Sequence, residues 1–380
     1  MTYLPKIDMG EVTRLTREGR LGEAMALLRG GKSPSPAPTD KTPAGNDGKR
    51  PGDGAGPLLD LTRQSGANGG WSSIPKGFAD GLAGVDPDRF AGRNSAPAIP
   101  AGARFSDHSF AGPAGVRDYK LYVPSTYDAA GSPMPLIVML HGCTQSPDDF
   151  ANGTRMNEIA EEIGFLVAYP GQSKAANMQK CWNWFEAKDQ MRDAGEPALI
   201  AGITRQVMSA HAVDPRKVFV AGLSAGGAAA AIMGQRYFDL YAAVGVHSGL
   251  ACGAARDMGS AFAAMRGGGP VEAGGTVVPT IVFHGDRDTT VAPVNGDRVL
   301  EQAKANAAST RIVTGGVSAK GVRYTRTVER EADGHERLEC WTIHGAGHAW
   351  SGGSAAGSYT LPDGPDASRE MIRFFMDVAV

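Results

Sequence analysis

The 380-residue chain lacks the features that mark membrane, nucleic-acid-binding and metal-binding proteins. No apolar run approaches the length of a transmembrane helix, and the amino terminus lacks the continuous apolar segment of a signal peptide. The net charge is -2 and no basic block occurs, which argues against a nucleic-acid partner. The four cysteines and eight histidines show no zinc-ligand spacing. We therefore expect no membrane span, no nucleic-acid partner, no metal and no organic cofactor.

What the chain does contain is Gly-x-Ser-x-Gly between an apolar run and a run of alanines, over residues 217–227. A strand that turns sharply into a helix gives this motif its meaning, because the turn exposes the serine hydroxyl at the carboxyl end of a sheet. Gly222 and Gly226 lack a Cβ, so strand and helix can approach closely. The flanking segments favour Ser224 as a nucleophile over the alternative, a serine that caps an ordinary tight turn.

A nucleophilic serine needs a histidine base and a carboxylate that orients the base. In α/β-hydrolases these follow the serine in the order Asp or Glu, then His, each on a loop after a later strand. Residues 279–291 are an apolar run that opens into a carboxylate-bearing loop. Residues 338–350 are a second strand that opens into a glycine-rich turn with a histidine. These matches, in the required order, predict a Ser-His-Asp triad.

Each of the two loops offers two candidates. Asp288 is favoured because it lies further along its loop, where a carboxylate can reach the next strand's histidine. Asp286 directly follows the turn glycine, where it can bond its own backbone. His348 follows Gly-Ala-Gly and is favoured over His344, which is interpreted as a packed strand residue. The histidines that end two other strands are interpreted as structural: His247 and His284.

Acyl transfer through a serine also uses backbone N–H groups that bind the oxyanion, typically two of them. One is expected from Ala225, the residue after the nucleophile, and the other from the loop after an earlier strand. Residues 135–145 are an apolar strand that ends in His-Gly, and Cys143 is the first candidate donor there, with Thr144 as the neighbouring alternative. His141 is interpreted as an orienting or structural residue.

The motifs taken together resemble those of the polyhydroxybutyrate depolymerase family of esterases, which is akin to feruloyl and acetylxylan esterases. The similarity covers about residues 105 to 380 and rests on six segments: residues 141–145 (HGCTQ), 181–184 (CWNW), 222–226 (GLSAG), 284–288 (HGDRD), 347–353 (GHAWSGG) and 364–370 (GPDASRE). The resemblance implies that Ser224, Asp288 and His348 form the triad and that Cys143 lies at the oxyanion hole.

The resemblance also bears on the cysteines and on location. It implies a Cys143–Cys181 disulfide and leaves Cys252 and Cys340 as the remaining candidate pair. The alternative is four unbonded cysteines in a reducing cytosol. The family is known for secreted enzymes, whereas the missing signal peptide favours a cytoplasmic location, so the resemblance and the sequence point to different compartments.

The distribution of apolar segments predicts an α/β-hydrolase fold with a mostly parallel sheet and helices on both faces. The expected strands are residues 119–123, 136–140, 165–169, 218–221, 242–247, 280–284 and 338–344. The expected helices are residues 148–162, 196–212, 225–237, 294–307 and 366–378. Residues 323–330 are predicted to form a hairpin with the last strand.

The composition changes before the catalytic domain, which we place at residues 105–380. Residues 31–104 are rich in glycine and proline and are expected to form a flexible linker and apron. Residues 1–30 show helical spacing of apolar side chains, as in a short amphipathic arm. A single such unit cannot bury its own apolar face, so a protein-binding module is the alternative to a partly ordered arm.

The motifs predict a serine hydrolase that works through an acyl-enzyme, and the resemblance implies an esterase that acts on hydroxyalkanoate oligoesters or short-chain esters. A feruloyl or acetylxylan esterase is the alternative, and a non-catalytic binding protein on the same fold is a further one. Trp182, Trp184 and Trp350 flank the motif loops and either line an apolar substrate cleft or pack the loops together.

Overall fold

The central strands of the sheet are continuous apolar runs, the pattern of parallel strands covered on both faces. We describe them from a computed structural model that covers residues 97–272, 278–304, 308–332 and 334–379. The predicted arm at residues 1–30 and most of the predicted linker at 31–104 lie outside the described residues. Strand β3 (Met134–Leu140) is representative, because its last five residues are all buried.

Within the part of the chain that the structure describes, ten strands form one sheet in the order β1-β2-β4-β3-β5-β6-β7-β10-β9-β8. The six strands from β4 to β10 in this order are parallel, and an antiparallel hairpin extends each edge. A short parallel pair lies apart from the sheet. The bounds are β1 Arg104–Gly112, β2 Gly115–Val123, β3 Met134–Leu140, β4 Leu166–Pro170, β5 Val213–Leu223, β6 Ala243–His247, β7 Thr280–Gly285, β8 Ser309–Val317, β9 Arg323–Glu331, β10 Glu336–Ile343, β11 Trp350–Ser351 and β12 Thr360–Leu361.

Helices connect the parallel strands and cover the sheet. Alternate residues of β3 point to opposite faces. Leu136 and Val138 join one apolar cluster and Ile137 and Met139 join the other. The helices are α1 Pro147–Thr154, α2 Met156–Ile163, α3 Gly195–Ala210, α4 Ala225–Arg236, α5 Met258–Gly267, α6 Val294–Ala303 and α7 Ala367–Val378, with a short 3₁₀ helix at Ala187–Gln190. None of the described helices is both long enough and apolar enough to cross a membrane.

The predicted central strands are confirmed, whereas the sequence pattern missed elements at the edges. Strands β1 and β8 are edge strands with alternating or mostly exposed residues, so neither shows an apolar run. The single helix expected over 148–162 is two helices, because Arg155 between them has φ 58°. A left-handed residue ends one helix and starts the next with a change of direction.

Of the two cysteine pairs suggested from the sequence, one forms a disulfide. The Cys143–Cys181 disulfide is present, as expected. The suggested Cys252–Cys340 pair is wrong, since both are unbonded thiols. Cys340 lies in the middle of β10, and β7 separates that strand from β6, whose following loop carries Cys252. The two cysteines thus belong to segments whose strands are not neighbours in the sheet.

A buried carboxyl holds the loop that carries the disulfide. Glu196, in the first turn of α3, accepts hydrogen bonds from the backbone N–H (2.7 Å) and side-chain amide (2.8 Å) of Asn183, and from the side-chain amide of Gln172. The backbone N–H of Gln172 donates to Nε2 of His141 (3.0 Å). Burial and the neighbouring carboxylate of Asp189 raise the pKa of Glu196 to about 7. The carboxyl therefore connects α3 to the loops after β3 and β4.

This raised pKa predicts a pH-dependent effect of Glu196→Gln on stability. The folded carboxyl keeps its proton between about pH 4.5 and pH 7, whereas the unfolded one loses it, so this group stabilises the wild type less as pH rises through that window. The amide has fewer acceptor sites and costs stability at low pH, but it does not titrate. The free energy of unfolding of the variant minus that of the wild type should therefore increase by on the order of 3 kcal/mol from pH 5 to pH 8. Denaturant unfolding of both proteins across this range measures the difference, and a pH-independent difference would contradict the raised pKa.

Candidate active site

Ser224 lies in a strained turn between β5 and α4. Its φ is 58° and its ψ is -120°, a backbone conformation that side-chain-bearing residues rarely adopt. The turn is fixed from both sides, because the Ser224 N–H donates to the carbonyl oxygen of His247 (2.9 Å) and the Ser224 carbonyl accepts from the N–H of Ala228 (2.9 Å). The strand-turn-helix geometry expected from the sequence is therefore present at this serine.

Two glycines make the close approach of α4 possible. A Cβ on Gly226 would clash with the carbonyl oxygen of Leu140 at the end of β3. A Cβ on Gly222 would clash with the backbone of Gly226 itself. The missing side chains thus let the first turn of α4 pack directly on the ends of β3 and β5.

Asp288 and His348 form a hydrogen-bonded pair on the loops that follow β7 and β10. Oδ2 of Asp288 lies 2.7 Å from Nδ1 of His348. Oδ1 accepts the backbone N–H groups of Thr290 and Val291, each at 2.9 Å. Burial alone would raise the pKa of Asp288, but the hydrogen bonds from His284 and His348 hold it well below its usual range. The carboxyl is therefore an ionised, fixed acceptor for the imidazole.

Asp286 and His344 form a second, more exposed pair. Oδ2 of Asp286 lies 3.0 Å from Nδ1 of His344, and Oδ1 accepts the backbone N–H of Gly345 (2.7 Å). Nε2 of His344 lies 2.9 Å from the hydroxyl of Thr325. Asp286 thus bonds across to the next loop rather than to its own backbone, and His344 follows β10 instead of lying inside it. This pair ties together the two loops that carry Asp288 and His348.

The other histidines near this edge of the sheet are built into the packing. His247 is stacked between the rings of Phe283 and Trp350, and its Nε2 accepts the N–H of Ser351 (3.0 Å). Burial lowers its pKa well below the usual value, so it is neutral. Nε2 of His284 lies 2.9 Å from the carbonyl of Val291 and therefore carries the proton.

The loop after β3 lies close to Ser224. A Cβ on Gly142 would lie 3.6 Å from the Cβ of Ser224. The N–H of Gly142 donates to Oε1 of Gln145 (2.9 Å), and that of Thr144 donates to the carbonyl of Gln179 (2.6 Å). Within the described residues, the N–H of Cys143 makes no hydrogen bond. Of the two candidate donors named from the sequence, only Cys143 has its N–H available.

His141 at the end of β3 supports this loop. Because its Nε2 accepts the N–H of Gln172, the proton lies on Nδ1, which donates to the carbonyl of Gly142 (2.8 Å). Burial lowers the pKa of His141 to about 4, so the ring stays neutral. These contacts fit an orienting residue.

The three tryptophans are buried. Trp182 donates from its indole N–H to the carbonyl of His141 (3.1 Å), and Trp350 donates to the hydroxyl of Ser368 (3.0 Å). Trp184 is 6% exposed. Their described contacts are those of loop packing, and a role in substrate binding stays a prediction.

Sequence reasoning gave no role to a buried cluster beside the Gly142 loop. Gln145, Asp149 and Ser358 bond to one another there, although Ser358 is 213 residues from Gln145. The only sequence signal was that Gln145 belongs to the segment 141–145. Among the described residues, no group of three or more His, Cys, Asp or Glu side chains could hold a metal ion.

Two curated proteins are similar to parts of this chain. Poly(3-hydroxyalkanoate) depolymerase C of Paucimonas lemoignei is 33% identical over 241 residues, which cover 60% of this chain and 57% of that protein. Feruloyl esterase B of Neurospora crassa is 31% identical over 140 residues, which cover 37% of this chain and 46% of that protein. The chain thus spans about half the length of these curated relatives.

A solved structure shares the fold. The acetyl xylan esterase from Aspergillus awamori matches with a TM-score of 0.54 at 19% identity, over 71% of this chain and 99% of that one. At this identity the likeness shows the α/β-hydrolase fold alone. The profile of the family described as Esterase PHB depolymerase matches residues 117–333, which is more than half of the chain. The chain belongs to this family of carboxylic ester hydrolases.

Proposed function

We propose that the chain hydrolyses carboxylic esters with Ser224 as nucleophile, His348 as base and Asp288 as the carboxylate that orients it. The observation that carries the proposal is the 2.7 Å bond between Asp288 and His348. Strands β5, β7 and β10 are parallel members of one sheet, so their carboxyl ends lie at one edge. Ser224, Asp288 and His348 each follow one of these ends, which is where open α/β sheets place their sites.

The Asp288–His348 bond decides which nitrogen of the histidine can act as base. A carboxylate only accepts hydrogen bonds, so Nδ1 of His348 carries the proton and Nε2 has the free lone pair. Nε2 then takes the hydroxyl proton of Ser224 as the serine oxygen attacks the ester carbonyl. Asp288, already ionised, stabilises the imidazolium that forms.

Two N–H groups support the oxyanion of the tetrahedral intermediate. Ala225 is the first residue of α4, so its N–H has no partner inside the helix. The N–H of Cys143 is the available donor on the facing loop, and the disulfide to Cys181 anchors that residue. His348 then returns its proton to the leaving alcohol, and a water activated by the same nitrogen hydrolyses the acyl-enzyme on Ser224.

For the substrate we propose hydroxyalkanoate oligoesters or other short-chain esters. The family and the similarity to a poly(3-hydroxyalkanoate) depolymerase support this class. The similarity to feruloyl and acetylxylan esterases supports the second candidate, an esterase for plant-wall acyl groups. Both candidates use the same three residues.

Ser224→Ala tests the nucleophile. Removing the hydroxyl should lower kcat for p-nitrophenyl butyrate by on the order of a million-fold and abolish labelling by a covalent serine reagent, because no acyl-enzyme can form. Ser209→Ala, which removes an exposed hydroxyl on α3, is the control and should keep full activity. If the Ser224 variant retained a tenth of the wild-type rate, Ser224 would not be the nucleophile.

Asp288→Asn compared with Asp286→Asn tests the carboxylate. The amide at 288 can donate to Nδ1 and so favours the wrong tautomer of His348, which should lower kcat by about 10⁴-fold. The amide at 286 only weakens the link between the loops, and we expect a loss below about 10-fold there. The ratio of kcat/KM values decides, and the reverse ranking would transfer the role to Asp286.

A substrate panel tests the ester class. A hydroxybutyrate dimer or trimer, a feruloyl ester, an acetylated xylo-oligosaccharide and a long-chain glyceride are compared by kcat/KM under one condition. We expect the hydroxybutyrate oligomer to be the best substrate and the glyceride the poorest. Highest efficiency on the feruloyl or acetylxylan ester would favour the second candidate, and highest efficiency on the glyceride would contradict both.

A further inference from the structure

The side chain of Gln145 joins three segments next to Ser224. Its Oε1 accepts the backbone N–H of Gly142 (2.9 Å). Its Nε2 donates to Oδ2 of Asp149 on α1 (3.0 Å) and to the carbonyl of Ser358, just before β12 (3.2 Å). The residue is 2% exposed. Both polar atoms of this buried amide are therefore bonded, each to a different part of the chain.

The partners fix the orientation of the amide. Asp149 lies in the first turn of α1, and its carboxylate accepts the backbone N–H of Ser358 (2.9 Å) and the Ser358 hydroxyl. A carboxylate engaged with these donors needs a further donor from Gln145, which only Nε2 supplies. Oε1 is thus left to face the N–H of Gly142. In a flipped amide, Oε1 would face the acceptor oxygens of Asp149 and Ser358, and Nε2 would face the N–H donor of Gly142. The cluster sets one orientation of Gln145.

This orientation determines which N–H groups of the loop remain available. Gly142 is bonded to Gln145 on one side of Cys143, and Thr144 is bonded to the carbonyl of Gln179 on the other. The N–H of Cys143 lies between these two fixed neighbours. Oε1 of Gln145 holds the peptide before Gly142, and Nδ1 of His141 holds the carbonyl of the peptide after it, which bears the Cys143 N–H. Without the bond to Gln145 one of these two constraints on Gly142 is lost, and a less constrained donor is a poorer binder of an oxyanion because catalysis depends on donors that are already in place.

We propose that Gln145 is a positioning residue for catalysis: it holds Gly142 so that the Cys143 N–H stays directed at the oxyanion. The inference rests on the proposed function, since it needs Ser224 to form a tetrahedral intermediate. Gln145 acts through Gly142 and does not touch the reacting atoms. Its effect therefore falls on the transition state, where the negative charge develops, and little on the ground state.

Gln145→Met tests this role, because methionine fills a similar volume without an acceptor for the Gly142 N–H. With p-nitrophenyl butyrate we expect kcat to fall about 10- to 100-fold with KM changed less than about 3-fold, a smaller loss than outright removal of an oxyanion donor causes. The rate constant for phosphorylation of Ser224 by diethyl p-nitrophenyl phosphate should fall in parallel, because that reaction also develops charge on an oxygen.

Gln302→Met is the matched control. Gln302 is also a buried glutamine, which accepts the N–H of Cys252 (2.9 Å) and donates to the carbonyl of the same residue (2.8 Å). The Gln302→Met variant should lose about as much free energy of unfolding as Gln145→Met, measured with denaturant, and should keep its kcat within about 2-fold of the wild type. Gln145→Asn keeps an amide but shortens the side chain by one methylene. It cannot reach both Asp149 and Gly142, so the kcat loss should appear there too, and it provides the test if the methionine variant does not fold.

The outcomes separate this inference from the proposed function. Loss of activity and of phosphorylation in Ser224→Ala, with full kcat in a folded Gln145 variant, would overturn the role of Gln145 alone. A rise in KM at unchanged kcat, or an equal kcat loss in Gln302→Met, would overturn it as well. Activity that survives Ser224→Ala would overturn the proposed function and with it this inference.

Discussion

The candidate site depends on how closely helix α4 approaches the end of strand β3. Only a missing Cβ at Gly226 lets the helix backbone pass over the Leu140 carbonyl. Next to this contact, Ser224 has a positive φ of 58° and the loop that begins at Gly142 lies against its side chain. The proposed nucleophile and the facing backbone donors are thus positioned by close backbone packing, which leaves little room for movement.

The proposed acid–base pair depends on the same sheet edge but is held differently. Asp288 and His348 lie on separate loops after β7 and β10, and loops by themselves are mobile. The second pair, Asp286 with His344, cross-links these loops close to their strands, and the backbone N–H groups of Thr290 and Val291 fix the Asp288 carboxylate. The geometry of the Asp288–His348 pair is therefore set by the hydrogen bonds around it.

Two buried polar clusters flank the loop that faces Ser224. Glu196 reaches it through Gln172 and His141 on one side, and Asp149 reaches it through Gln145 on the other. Buried polar groups are costly when unpaired, so each cluster has a preferred set of bonds. The loop is held between them, and the disulfide at Cys143 ties it to the segment that Glu196 anchors.

The sequence by itself determined the central parallel strands, the strained serine turn and the chain order of the residues proposed as the triad, because these rest on local patterns: apolar runs, glycines at fixed offsets and loops after strands. It did not determine the edge strands β1 and β8, whose residues are too polar to show an apolar run. Nor could it exclude the Cys252–Cys340 pair or reveal the link from Gln145 to Ser358, since these depend on distances between segments far apart in the chain. Tertiary structure alone decided them, because packing of the sheet and its loops sets which distant residues meet.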